Sequence, residues 1–139
     1  ARAEILGLWR ERTAMLASHP NVMVKISGIA GTFLGYGPER AGNIGGQRIL
    51  ADMIGPLVLH LVDRFGPDRV IFGSNAPLDD PNASLGTVVG ALIDVLGVRG
   101  DYLLGRLFAE NARRIYRLPE PAPAPDSAGS DASAESPKE

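Results

Sequence analysis

The clearest strand signal of the chain lies in Asp68-Arg69-Val70-Ile71-Phe72-Gly73-Ser74-Asn75-Ala76-Pro77-Leu78-Asp79-Asp80. The β-branched and aromatic residues of its first half favour a buried strand. Pro77 cannot donate a hydrogen bond to a sheet, so a strand over 70–74 is predicted to end near Asn75. Polar side chains therefore gather at the carboxyl end of this strand. In parallel α/β folds, ligands bind at that end.

Composition narrows the class of protein. The 139 residues suffice for one modest domain. The absence of cysteine excludes disulfides and thiolate sites, and fits a reducing compartment, so we expect the cytoplasm. No apolar run reaches the roughly 18 residues that cross a membrane. With a formal net charge of −2 and scattered arginines, we expect neither a nucleic-acid nor a membrane partner. The sequence begins with Ala1 rather than Met, so we expect it to be part of a longer protein.

A second strand is predicted over 22–28. Side chains alternate along a strand, so Lys25 and Ser27 share one face, opposite to Val24 and Ile26. The apolar face suits packing against helices. A lysine in such a strand needs a carboxylate, a ligand or water, or it extends its stem to a sheet edge. Both interpretations of Lys25 stay open.

Apolar residues at helical spacing predict helices over 2–18, 47–65 and 85–96 and another that begins at Asp101. The first is amphipathic, with Ile5, Leu8, Trp9, Met15 and Leu16 at helical spacing. The third turns six apolar residues inward: Leu85, Val88, Val89, Leu92, Ile93 and Leu96.

Local residues refine these helices. Gly55-Pro56 predicts a kink or a break in the second. Ser84 is expected to cap the third, and Asn111, inside the last, needs a partner for its amide.

Three aromatic or imidazole side chains are interpreted as structural. Trp9 is expected to pack in the core. His60 lies on an apolar helix with no carboxylate or second histidine four residues away, so it is expected to be satisfied within the fold. His19 precedes a proline outside any metal-binding pattern, which indicates a surface loop.

Two loops carry further candidates. Residues 28–46 are rich in glycine but lack the spacing of a phosphate-binding loop, so we predict a lid with Tyr36 and Arg40 as substrate contacts. Asp79 and Asp80 are either a carboxylate pair for acid–base chemistry or metal binding, or turn residues, and their place before a proline favours the turn.

Three segments together resemble the C-terminal part of the amidohydrolase-related TIM-barrel metal-dependent hydrolases, which include the sugar lactonases and 2-pyrone-4,6-dicarboxylate hydrolase. They are residues 21–28, 65–77 and 110–118. The resemblance implies an α/β fold in which residues 1–118 are the C-terminal part of a (β/α)₈ barrel, with two parallel strands and flanking helices. Residues 119–139, rich in Pro, Ala, Ser and acids, are expected to be a disordered tail.

The resemblance also implies a site. The family hydrolyses a lactone, or a related ester or amide, with an activated water. In many members an aspartate on the last strand ligates a divalent metal, here Zn or Mn, or accepts the proton of that water. Asn75 stands at this position, where it would orient water or substrate or ligate a metal weakly, because an amide cannot take the proton.

Other roles follow from the same likeness. Asp79 matches a later family aspartate and would hold the active-site loop or act as the base. Lys25 and Ser27 would line the barrel and bind a carboxylate or a hydroxyl of a small-molecule substrate. The family's metal-binding histidines find no match, so we expect them before residue 1 and expect this chain alone to be inactive.

Two other classes of function stay open. One is a catalytically inactive barrel homologue with a binding or structural role, which Asn75 permits. The other, ranked last, is a small nucleotide-binding α/β module. Exposed sheet edges leave an oligomer open as well.

Overall fold

A computed structural model describes residues 2–31 and 44–120. Its elements run in the order α1 (Arg2–Ala17), β1 (Val24–Ile26), α2 (Gln47–Phe65), β2 (Val70–Phe72), α3 (Leu85–Leu96), a 3₁₀ turn (Gly97–Arg99), α4 (Asp101–Gly105), a π-helical turn (Arg106–Glu110) and α5 (Asn111–Tyr116). The predicted Tyr36 and Arg40 contacts, and residues 121–139 of the predicted tail, lie outside the described residues.

The two strands pair in parallel, as predicted. Val24 lies opposite Val70, and Ile26 lies opposite Phe72. These four side chains belong to the hydrophobic core or pack against it, so this face of the sheet is covered by helices. Lys25 and Ile71 lie opposite each other and therefore point to the other face. The predicted alternation of β1 is confirmed.

The core lies mainly between α2, α3 and the helix-covered face of the sheet. Apolar residues at three- and four-residue spacing on α2 and α3 form it, and the fully buried members include Leu50, Ile54, Val58, Val88, Leu92 and Leu96. The hydroxyl of Ser84 accepts a hydrogen bond from the backbone N–H of Thr87 at 3.2 Å, which confirms the predicted cap.

Both strands are shorter than predicted. β1 begins at Val24 rather than residue 22, and β2 ends at Phe72 rather than residue 74. A ladder lasts only as long as a neighbour pairs with it, and the N–H of Val22 already bonds to the carbonyl of His19 in a turn. One bond extends the ladder beyond β2, from the N–H of Gly73 to the carbonyl of Ile26 at 3.0 Å.

Parts of three predictions about helices are wrong. Of the kink or break predicted at Gly55-Pro56, the break is absent, because α2 is continuous through Pro56. On α3, Val88, Leu92 and Leu96 are buried as predicted, whereas Leu85 and Ile93 are exposed. The apolar side of α1 is also open, with Ile5 67% and Met15 63% exposed, because α2 is its packing neighbour among the described elements.

Two polar side chains tie the helices to β2. The buried Asn111 donates from its amide nitrogen to the carbonyls of Pro67 at 2.6 Å and Val70 at 2.9 Å. These carbonyls are the partners that an asparagine inside a helix was predicted to need. Arg69 donates to the carbonyls of Ala17 and Phe65, both at 2.9 Å, and so satisfies the ends of α1 and α2. No helix within the described ranges is long and apolar enough to span a bilayer.

Candidate functional site

The carboxyl ends of β1 and β2 lie side by side, because the strands are parallel and in register. Lys25 and Ser27 leave β1 on the face away from the core, and Gly73 follows β2 on the same face. A β-carbon built on Gly73 would lie 2.8 Å from Cδ of Lys25 and 3.0 Å from Oγ of Ser27. The structure thus brings two of the predicted substrate contacts together over a glycine.

Asn75 lies at the same end of the sheet, beside the turn that follows β1. A β-carbon on Gly28 would lie 3.4 Å from the side-chain nitrogen of Asn75. Asn75 has a φ of 55°, a left-handed conformation that asparagine tolerates better than most residues. This backbone turns the chain sharply, and the N–H groups of Leu78 and Asp79 both donate to the Asn75 carbonyl.

Asp79 connects the loops that follow the two strands. Its carboxyl is 2% exposed. One oxygen accepts a hydrogen bond of 2.7 Å from the amide nitrogen of Asn75, and the other accepts one of 3.2 Å from the backbone N–H of Ala30. Both oxygens are therefore engaged, and the carboxylate is compensated by hydrogen bonds rather than by a cation.

The loop that holds Asp79 is a series of turns. The N–H of Asp80 donates to the Pro77 carbonyl, and those of Asn82 and Ala83 donate to the Asp79 carbonyl. This agrees with the predicted turn. Asp80 is exposed, so the two adjacent carboxylates point into different environments and do not form an acid–base pair.

A complete metal centre does not fit these residues. Within residues 2–31 and 44–120, no group of three or more His, Cys, Asp or Glu side chains could hold a metal ion. Asp79 already uses both oxygens, and the nitrogen of Asn75 faces Asp79, which leaves the Asn75 oxygen as a single candidate ligand. One neutral oxygen is not a metal site.

The two histidines lie away from this end of the sheet. The Nε2 atom of His60 is 3.0 Å from the Thr13 hydroxyl, and its ring lies 5.3 Å from that of Trp9, so both residues join α1 to α2. Burial is the main cause that lowers the pKa of His60. His19 is exposed in a turn, where its carbonyl accepts a hydrogen bond from Arg69. His60 and His19 have the structural roles predicted for them, whereas Trp9 is half-buried and packs on His60 outside the hydrophobic core.

The sequence did not identify Gly73, Ala30 or Arg69 as important positions. Ala30 acts through its backbone N–H, for which no side-chain pattern exists. Gly73 follows a buried strand directly, and a glycine there is a signal of close approach by neighbouring atoms. Arg69 directly precedes the same strand, but one of the two helix ends that it meets lies 52 residues earlier in the chain, so no sequence signal marked it.

A large cavity opens beside β1, between that strand, α1 and α2. Its volume is about 620 Å³, and Trp9, Lys25 and Ser27 are among the residues that line it. Most of its wall is apolar. The charged residues of the wall are Arg2, Arg10 and Lys25, all of them cations.

Comparison with known proteins identifies relatives of the chain. A model of the amidohydrolase family matches residues 3–118. The uncharacterized protein y4mH of Sinorhizobium fredii is 29% identical over 110 residues, which are 79% of this chain and 33% of that protein.

Two crystal structures of an amidohydrolase from Burkholderia multivorans are also similar, one with bound zinc and one with bound HEPES. They give TM-scores of 0.69 and 0.70 at 28% identity, over 82% of this chain and 38% of theirs. The chain thus spans about a third of the length of the relatives it matches.

Proposed function

Since this chain belongs to the amidohydrolase family, we propose that the protein containing it hydrolyses a lactone or a related ester or amide through an activated water. Members of this family are hydrolases, and the proposal specifies which type of bond is hydrolysed. The likeness to sugar lactonases and to 2-pyrone-4,6-dicarboxylate hydrolase belongs to the same proposal. The cytoplasmic location and the absence of nucleic-acid and membrane partners stay predictions.

One observation carries the proposal. Lys25, Ser27 and Asn75 all lie at the carboxyl ends of two adjacent parallel strands, the end at which α/β enzymes bind substrates. An ammonium, a hydroxyl and an amide at this position are groups that bind and orient a polar substrate. In this proposal Lys25 and Ser27 contact the substrate, and Asn75 orients the substrate or the attacking water.

The contacts of Asp79 support an anchoring role in preference to the role of a base. A base must reach the proton that it takes, whereas this carboxyl is buried and accepts two hydrogen bonds. Asp79 then holds the Asn75 amide and the loop after β1 in fixed positions. Asn75 cannot replace it as the base, because a neutral amide accepts no proton at neutral pH.

The base and any metal ligands are therefore assigned to the remainder of the longer protein. A zinc ion is bound in the Burkholderia multivorans structure, which is consistent with a divalent metal here, but the described residues of this chain contain no group of three or more His, Cys, Asp or Glu side chains that could hold it. We accordingly propose that the 139-residue chain is inactive alone.

Assay of the full-length protein against a panel of lactones, esters and amides tests the proposal. Asn75→Gly removes the amide while keeping the left-handed backbone unstrained, and we expect kcat/KM to fall about tenfold or more. The matched control is Asn82→Ala in the same loop, whose side chain makes no hydrogen bond among the described residues; it should retain activity. Equal activity in the wild type and Asn75→Gly would refute the role of Asn75.

A second candidate function is that of a catalytically inactive homologue that binds its ligand without hydrolysing it. The observation that favours it is the hydrogen bond of Asn75 to Asp79, because it gives the family's catalytic aspartate position a neutral, internally bonded side chain. Absence of turnover over the whole panel, with retained ligand binding, would favour this candidate over the hydrolase.

A further inference from the structure

The side chains of Lys25 and Ser27 occupy the space in which a side chain at position 73 would lie. A β-carbon at Gly73 would lie 2.8 Å from Cδ of Lys25 and 3.0 and 3.1 Å from Oγ and Cβ of Ser27. Distances near or below 3.0 Å are shorter than carbon contacts allow. The stem of Lys25 and the hydroxyl group of Ser27 therefore occupy space that only glycine leaves open.

The backbone fixes this arrangement. Ile26 lies opposite Phe72, and the N–H of Gly73 donates to the Ile26 carbonyl at 3.0 Å. Ser27 and Gly73 are consequently neighbours on one face, which Lys25 shares because side chains alternate with a period of two. The arrangement is thus set by strand register rather than by a mobile loop.

The charge of Lys25 is not compensated within the part of the chain that the structure describes. Lys25 is exposed and forms none of the salt bridges found there. Asp79, the buried carboxylate of the site, accepts hydrogen bonds from Asn75 and from the backbone N–H of Ala30, one on each oxygen. An ammonium without an acidic partner among the described residues favours an anionic ligand.

We infer that Lys25 and Ser27 form a subsite for a carboxylate of the ligand, and that Gly73 is the residue that determines this specificity. An ammonium and a hydroxyl side by side can each donate to one carboxylate oxygen. Gly73 acts by leaving room for both donors. The inference rests on the proposed function in one respect: it takes this end of the sheet as the substrate site and names the substrate class as carboxylate-bearing.

A change at Gly73 should displace Lys25 rather than unfold the protein. The atom nearest to a new β-carbon belongs to a flexible lysine stem, which can rotate away, whereas Cβ of Ser27 at 3.1 Å would have to shift by a few tenths of an ångström. Gly73→Ala should therefore keep the fold and move the ammonium. Gly7→Ala is the matched control, because nothing lies within 4 Å of a β-carbon at this position in α1.

The experiment titrates the full-length protein with glutarate and, separately, with the uncharged glutaramide by isothermal titration calorimetry. We expect glutarate to bind, and Lys25→Met and Gly73→Ala each to weaken it by about tenfold or more, as expected for a lost charged hydrogen bond. Gly7→Ala should bind as the wild type does, and glutaramide should bind weakly to every variant. Melting curves within a few degrees of the wild type verify folding.

Glutarate affinity that does not depend on Lys25, or equal affinity for glutarate and glutaramide, would overturn the inference and leave Lys25 as a residue that covers the sheet. Loss of folding in Gly73→Ala leaves Lys25→Met as the deciding variant. If the hydrolase is active, Lys25→Met should raise KM for carboxylate-bearing substrates with little change in kcat. Binding and turnover are separate measurements, so Lys25-dependent binding without turnover would refute the proposed hydrolysis and not the subsite.

Discussion

The amide of Asn75 and the carboxylate of Asp79 form a hydrogen bond of 2.7 Å between two residues of one loop. The second Asp79 oxygen accepts from the N–H of Ala30, 49 residues earlier in the chain. A single buried carboxylate thus joins the loops after both strands. The position of Asn75, the proposed orienting residue, therefore depends on a buried side chain.

Asp79→Asn should destabilise the protein measurably. The substitution keeps the shape of the side chain but replaces one acceptor by a donor, which then faces either the Asn75 amide or the Ala30 N–H. A buried polar group left without its partner costs about 1–3 kcal/mol, and we expect that loss in urea unfolding followed by circular dichroism. Asp80→Asn is the control, since the neighbouring carboxylate is exposed and its loss should cost less than about 0.5 kcal/mol. Equal effects of both changes would contradict the anchoring role.

Asn111→Leu should destabilise the protein for a different reason. Asn111 is 2% exposed, and its amide nitrogen donates to the carbonyls of Pro67, in the loop before β2, and of Val70, the first residue of β2. Leucine has a similar size but no donor, so both carbonyls lose this partner at a cost of about 2 kcal/mol. Tyr116→Phe, an exposed change on the same helical stretch, should be nearly neutral in the same unfolding measurement. A neutral Asn111→Leu would show that water replaces the amide.

Asn111 also illustrates what the sequence could predict. A helix interior disfavours asparagine, so the need for a partner was predictable. The partners themselves, 44 and 41 residues away, were not, because they exist only after the chain has folded. The same limit applies to Asp79, whose pattern indicated a turn but not burial against Ala30.

Helix boundaries and strand boundaries differed in predictability. The second helix has the predicted bounds, Gln47–Phe65, because a long apolar period and a following Gly-Pro pair define it locally. Strand length depends on what pairs with the strand, which propensity does not encode, so β1 and β2 came out shorter than predicted. The exposed apolar side of α1 has a related cause: periodicity predicts a helix but not which of its residues a neighbour covers.

The stability of the protein should fall as the pH falls below about 6.5, the ordinary pKa of histidine. Burial lowers the pKa of His60 in the folded state, so the unfolded chain binds a proton first. The contribution of the neutral His60 imidazole to the free energy of unfolding is fully present above the pKa that His60 has in the unfolded chain. It decreases at lower pH, because protonation then favours the unfolded state. His60→Leu should reduce the slope of melting temperature against pH between about 5 and 7. An unchanged slope in this variant would assign the pH dependence to other groups.

Replacing Asn75 by aspartate should be unfavourable unless Asp79 changes with it. Asn75→Asp places a second carboxylate where the amide nitrogen donated at 2.7 Å, and two like charges at this separation repel. The left-handed φ of 55° is tolerated by aspartate as by asparagine, so the cost comes from charge and not from the backbone.

The double variant Asn75→Asp with Asp79→Asn recreates one amide and one carboxylate in exchanged positions. We expect it to recover at least about 1 kcal/mol relative to the sum of the single changes in a double-mutant cycle. Simple additivity of the two single changes would show that Asn75 and Asp79 are not coupled and that the loop is held by the Ala30 hydrogen bond alone.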